Sequence, residues 1–490
     1  MSPTVTRIAA SLSVIALSLA VLVVSQRTAA AHALAQRYDL PLPLGFFLLA
    51  AGAVVAVTFA ILAWAARRPK ENRSHAGPDR IFASGIVPPV VVFAVQSTSV
   101  ALLALIVAAG LSGHQNPFKN IAPVAIWVIW WVGMALLSAF VGNVWALLNP
   151  LAASFGFAQW LARRCGGRLS PGLAYPPWLG AWPACALLLV FAWLELVAPG
   201  RDVPRSIAIA ILIYSALTFA GFAAFGRDVW LKSGDVFSVF FDLLGRFAPL
   251  HFCSNSGWRW SLRPYASGLR TREPLDASMT AFTLIVLGTV TVDGFMETPL
   301  WASVVEWILS ADDLKPANSR AYMTLASALL VAGPLLLAAL FLTTIGTMTW
   351  IARGPEPAPL AGLFVLSLVP IAIAYHLAHY FSLLAIAGQF IIPLVSDPFG
   401  TGWDLFGTTL YRIDIGIVDA RFIWYLSVVA IVTGHMIAVW LAHQTASEIY
   451  RDGNAARRSQ YPMLILMVGY TMLSLWILAQ PIVEPSVNRS

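Results

Sequence analysis

Charge is scarce in this sequence. Only 11% of its 490 residues are Asp, Glu, Lys or Arg, against about a quarter in a soluble globular domain. That leaves no room for a large soluble catalytic domain. Cysteine is scarce too: three residues, at 165, 185 and 253, with no CxxC pair. This excludes a disulfide framework and a thiolate metal cluster. There is no Walker loop, no dinucleotide fingerprint and no GxSxG elbow. No internal repeat is visible, so pattern alone gives no support to a transporter built from inverted halves.

What the chain has instead is apolar length. Hydrophobic residues make up 59% of it, in runs that recur from end to end. Runs near 44–66, 88–112, 121–147, 178–198, 206–225, 279–300, 321–349, 359–390, 422–444 and 461–482 are each long enough to cross a hydrocarbon core of ~30 Å as a helix. The expected fold is an all-α polytopic bundle of ten spans in a lipid bilayer, one domain over residues 32–490.

The first thirty-one residues read as a signal peptide: Arg7, an apolar run, and small residues ending at Ala29 and Ala31. Cleavage there makes His32 the mature N-terminus. The alternative is an uncleaved first span. Placing residues 32–43 outside puts loops 67–87, 148–177, 226–278, 350–358 and 445–460 inside. With Arg7 these hold 20 of the 30 Lys and Arg, the bias of an inner-membrane protein with both mature ends outside. The outer face is then mildly acidic, and the net charge of +7 reports topology and not nucleic acid.

Two connecting segments stand out. VFSVFFDLLGRFAPL (236–250) has aromatic residues at helical spacing and an Asp242–Arg246 pair four apart. It reads as a helix in the inner interface. The arginines at 259, 263, 270 and 272 that follow suit anionic lipid. The outer loop 391–421 starts where Pro393 should end a helix. Its length, with Asp397, Trp403 and Asp404, suits a lid over a substrate site.

Chemistry concentrates in three spans. His376 and His379 in AYHLAHYFSLL are three apart, with Tyr380 on the same side. At 1.5 Å per residue, His376 lies ~20 Å and His435 ~21 Å below the outer boundary, so the two match in depth on consecutive helices. Asp293 and Glu297, in TVTVDGFMETPLW, are four apart and share a face. Carboxylates in a span are costly unless paired, hydrated or metal-bound. His376, His379 and His435, with His32 as a further donor, therefore make a candidate centre for zinc, manganese, iron or copper. Asp293 or Glu297 would be a ligand or the general base. Other polar residues read as structural. Glu195 reaches water at its span's outer end, Asn143 and Asn149 serve helix contacts and ends, and Trp127, Trp130 and Trp131 are packing or lipid aromatics.

Five segments carry a resemblance: HALAQRYDLPLPL (32–44), YPPWLGAWPACALLLVFAWLELVAPG (175–200), TVTVDGFMETPLW (289–301), AYHLAHYFSLL (374–384) and SDPFGTGWDLFG (396–407). Together they resemble the bacterial membrane proteins named for fenitrothion hydrolase, over residues 32–445. NPL at 149–151 departs from the NPW expected there. The resemblance implies hydrolysis of an aryl phosphorothioate triester, an apolar aromatic organophosphate, with a second membrane-associated subunit. A bound metal would generate hydroxide and polarise the ester. The rival expectations are a metal-handling transporter, a b-type haem protein ligated by His376 and His435, and a non-catalytic membrane subunit.

Overall fold

The computed structural model describes residues 38–65, 81–254, 257–309, 320–450 and 452–480. The signal segment and His32 lie outside the described residues. Among the described residues, ten helices are long and apolar enough to cross a membrane. They are α1 Leu44–Ala65, α2 Pro89–Ser112, α3 Ile121–Phe140, α4 Pro177–Leu196, α5 Pro204–Phe225, α6 Ala277–Met296, α7 Arg320–Ala352, α8 Pro357–Ser396, α9 Ala420–Ile449 and α10 Gly453–Ala479. Each matches one apolar run. The chain is a multi-pass, all-α membrane protein.

The helix starts follow from a few residues. Proline opens α2, α5 and α8, where its missing N–H is not needed. Aspartate caps α6, α9 and α10: Asp276, Asp419 and Asp452 accept from backbone N–H groups of the first turn. These three carboxylates sit where an exposed N–H and the helix dipole favour them.

α8 is the hub. Its residues from Leu360 to Tyr380 are mostly buried, and it packs against α3, α6, α9 and α10. Its crossing with α9 is tight because Gly434 has no side chain. A Cβ there would lie 2.5 Å from the Cβ of Ala374 and 2.8 Å from the Pro370 carbonyl oxygen. α6 and α7 cross in the same way, with Gly288 against Pro334. Small residues permit such close approach between membrane helices.

Three findings depart from the sequence reading. First, the chain has a sheet. β1 (Ala83–Ile86), β2 (Leu250–Ser254) and β3 (Trp258–Leu262) form an antiparallel sheet in the order β1-β3-β2. Apolar span hunting passes over strands of four and five residues. The sheet joins the α1–α2 and α5–α6 connections at one end of the bundle, here called the sheet end. The opposite end carries the 397–419 connection and is called the loop end. This sorting agrees with the alternation of loops expected for ten spans. Second, the Val236–Gly245 helix buries its aromatic side. Phe237, Phe240 and Phe241 pack on Trp130 and Trp131 of α3, leaving Asp242 and Arg246 paired at 3.5 Å on the other side. Asp235 caps this helix, bonded to Ser238 N at 3.1 Å and receiving the Tyr214 hydroxyl. Third, Pro393 does not end α8. It falls within the first turn of a new helical segment, Ile391–Ser396, where proline is tolerated.

The α8–α9 crossing gives a direct prediction. Gly434→Val forces the helices apart against backbone that cannot yield, at an expected cost of about 1–3 kcal/mol. A thermal midpoint in detergent equal to wild type would mean the helices do not cross this closely.

Candidate functional site

Polar chemistry inside the bundle collects where α3, α4, α6 and α8 meet. Asp293 is one turn from the end of α6. His379 Nε2 stands 3.0 Å from Asp293 Oδ2, and the Tyr380 hydroxyl donates to the same oxygen. The two side chains are 8% (His379) and 14% (Asp293) exposed. His379 and Tyr380 are neighbours in α8, and His376 lies three and four residues before them on the same side. The rings of His376 and His379 both pack on Tyr380, with centroids 4.7 and 4.6 Å away. A buried carboxylate must be paired or hydrogen-bonded, and two donors on one oxygen meet that need.

Beside this clamp lies a cavity of about 30 Å³, where about 10–15 Å³ on the same measure holds one water. Asp293, Glu195, His376, Tyr380 and Trp131 line it, with apolar walls from Leu188 and Phe191. His376 Nε2 and Trp131 Nε1 are buried without a hydrogen-bond partner. The Glu195 carboxyl approaches the Trp131 indole N–H, which does not reach hydrogen-bonding geometry. Arg201, past the end of α4, donates to the Glu195 and Leu196 carbonyls at 2.7 and 3.1 Å. Its charge acts on both Glu195 and Asp293.

Trp131 reaches the cavity from an unusual stretch of α3. Residues Val124–Gly133 form a π-helix, bonded from each residue to the fifth along. Such wide turns are often found at functional sites. Here the stretch places Trp131 between Phe240, stacked at 4.9 Å, and the ring of His376 at 5.9 Å.

The sequence reading placed three imidazoles in one centre, and the structure does not bring them together. His379 is committed to Asp293. His376 faces the cavity and Trp131. His435, fully buried on α9, turns to α10: Nδ1 lies 2.8 Å from the Ile431 carbonyl and the ring faces Tyr470 at 6.1 Å. Among the described residues no three His, Cys, Asp or Glu side chains are grouped to hold a metal. A shared zinc-type ion needs nitrogen donors at about 2.0–2.1 Å from one point, so this donor set does not fit one. The pairing of His376 with His435 rested on rise per residue alone. Helix rotation, which spacing along one helix cannot fix, separates them.

Glu297 caps the end of α6 and is exposed, away from the cavity. Asp397, Trp403 and Asp404 do not line the cavity either. Their loop is fastened to the α2–α3 connection, where His114 and Ile121 donate backbone N–H bonds to the carbonyls of Phe399 and Pro398 at 2.8 and 3.1 Å. Asp397 organises a turn, accepting from Thr401 N at 3.0 Å and Gly402 N at 2.7 Å. Asp404 accepts from Thr409 N at 3.2 Å, and Trp403 packs on Phe399.

Glu195 and Trp131 are the site residues that sequence reasoning missed. Glu195 carried a signal, being a carboxylate inside an apolar run, but its place near the span's end suggested exposure to water. Trp131 carried none, because one of three tryptophans in VAIWVIWWVG cannot be singled out without knowing that the helix is π-wound. No family model, no curated protein and no solved structure matches this chain.

The Asp397 turn generates a pH prediction. Partial burial raises its carboxyl pKa, but the backbone N–H groups of Gly402, Thr401 and Trp403 outweigh that and hold it below the ordinary 3.8. A depressed carboxyl contributes stability that is fully present above the ordinary value and lost as pH falls through the depressed one. Limited proteolysis of the loop should therefore be slow and flat across neutral pH and accelerate only in strong acid. Asp397→Asn should be cut quickly at pH 7. Equal cutting of the two proteins at pH 7 would remove the clamp from the account.

Proposed function

We propose that this protein performs acid–base chemistry on water inside the membrane, with Asp293 as the base. The observation that carries this reading is the Asp293 carboxylate, fixed through one oxygen by His379 and Tyr380 while lining a water-sized cavity. An ionisable cluster in a span is functional by default, since its cost is otherwise hard to explain. His379 and Tyr380 orient the carboxylate. Glu195, across the cavity, is the second acid–base group.

The resemblance to fenitrothion hydrolases directs this chemistry at apolar aryl phosphotriesters dissolved in the bilayer. Asp293 would take a proton from water as the water oxygen attacks phosphorus. The bond from phosphorus to the aryloxy oxygen would break, its electron pair leaving with the nitrophenolate. Glu195, in its protonated form, would return a proton to the leaving oxygen. Because the cavity accepts water and not an aryl ester, ester entry would require Leu188 and Phe191 to move. No step is routed through a metal. We place the protein in a bacterial inner membrane, sheet end inward, as the arginine-rich connections suggest.

A second reading is favoured by the size of the cavity itself. A site that admits only water suits a proton- or ion-handling membrane subunit, with the organic substrate bound by a partner membrane protein.

Release of nitrophenol from a dialkyl nitrophenyl phosphorothioate by purified protein in nanodiscs tests the first reading. Asp293→Asn should lower turnover about 10²- to 10⁴-fold, the usual worth of a general base. A chelator should leave turnover unchanged. Turnover abolished by the chelator would return the chemistry to a metal. No turnover at all, with or without added membranes containing the partner, would leave the second reading in possession.

A further inference from the structure

The connection between α3 and α4 contains a helix that the chemistry above does not use, Pro150–Arg164. The chain leaves α3 at the sheet end and enters α4 at the same end, so this helix does not cross the bilayer. Asn149 caps its start, accepting from Leu151 N and Ala152 N at 3.0 Å. One face is committed to the bundle: Leu151 and Phe155 are buried with Phe222 of α5, against Leu103 of α2. The opposite face is bare. Phe157, Trp160 and Leu161 are 63%, 48% and 49% exposed, at the spacing of three and four that puts them on one side. Phe157 stacks on Trp160 at 5.7 Å between centroids. Next on that side is Arg164, whose guanidinium lies 4.5 Å from the centre of the Trp160 ring, a cation–π contact. Arg163 precedes it and Arg168 follows, both exposed. Arg227, two residues past the sheet end of α5, reaches Gly156: a Cβ there would lie 3.1 Å from its Nη1. Gly156 is thus level with the end of a span, and the aromatic residues that follow it stand at the membrane boundary.

The charge on this face is unanswered within the chain. No Asp or Glu occurs between Asp79 and Glu195. Asp228, past the end of α5, is taken by Arg227 at 3.0 Å. Among the described residues, Arg163, Arg164 and Arg168 enter no ion pair. The helix dipole accounts for basic residues in a last turn. It does not account for Arg168, past the helix end, or for three large apolar residues left bare beside them. α2, one of the two spans that carry this helix, has only Ala109 and Gly110 buried, which sets the helix at the rim of the bundle.

We propose that the Pro150–Arg164 helix and Arg168 form a docking surface for anionic phospholipid at the sheet end. Acyl chains lie against Phe157, Trp160 and Leu161, and the phosphate lies against the arginines, with Trp160 holding Arg164 in place. An aromatic face at the boundary with basic groups just beyond it matches that one occupant in both halves. An acidic soluble protein would match the arginines and leave the aromatic face unmet. The surface is separate from the Asp293 cavity and does not depend on its chemistry.

Cys165, next to Arg164, is exposed and Cys185 is buried, so in a Cys253→Ser background a fluorophore reports on Cys165 alone. Full-length protein in phosphatidylcholine nanodiscs is given equal small fractions of phosphatidylglycerol or phosphatidylcholine carrying a nitroxide on the chain. In wild type the anionic lipid should quench severalfold more, and the preference should weaken as salt rises. Arg163→Gln/Arg164→Gln/Arg168→Gln should bring the two lipids level. These positions are exposed, so its thermal midpoint in phosphatidylcholine alone should match wild type. Trp160→Leu keeps every charge and should lose part of the preference. Equal quenching by the two lipids in wild type would overturn the proposal, whatever the variants do. So would a preference untouched by the glutamine changes. Inorganic phosphate that removed the preference better than chloride at equal ionic strength would make this a soluble-anion site and overturn the lipid assignment.

Discussion

A carboxylate inside an apolar bundle must be held by the protein, because the bilayer offers nothing to hold it. The bond between Asp293 and His379 meets that constraint, and much of the surrounding structure follows from it. It brings α6 against α8 near the loop end. It fixes the rotation of α8, since His379 and Tyr380 must both face one oxygen, and so decides that His376 points at α3. A helix so constrained on one side needs close neighbours on the others. The glycine at 434 and the π-wound stretch of α3 supply them.

The broad architecture was legible in the sequence because hydrophobic length is a strong signal. Each of the ten apolar runs became a helix, most ends falling within three residues and the start of α10 lying eight residues earlier than its run. Their alternation also predicted which connections share an end of the bundle, and the sheet pairs two connections assigned to one side. The sheet itself was not legible. ASGI and WRWSL are too short and too mixed to read as strands, and their pairing depends on the spans having already brought them together.

The site was legible in part. Asp293, His379 and Tyr380 were picked out by chemistry and spacing, and they do meet. His435 was assigned to the same centre on depth alone, and depth is only one of the two coordinates that place a side chain around a helix. Angle is the other. α9 turns His435 towards Tyr470 and α10, and no count of residues along α8 or α9 contains that angle. Glu195 was lost for the converse reason. Its depth near a span end suggested water, while its angle aims it inward.

The small sheet has a consequence for how the chain is made. β1 leaves the ribosome before α2, and its partner β3 follows only after α5, four spans later. Throughout that interval β1 has a bare edge and no strand to meet. Insertion of the first half of the protein must therefore proceed without the sheet, held by helix contacts alone, and the sheet closes as a late latch. A chain released early, before residue 262, would carry the spans that insert first and lack the clasp that ties their connections together.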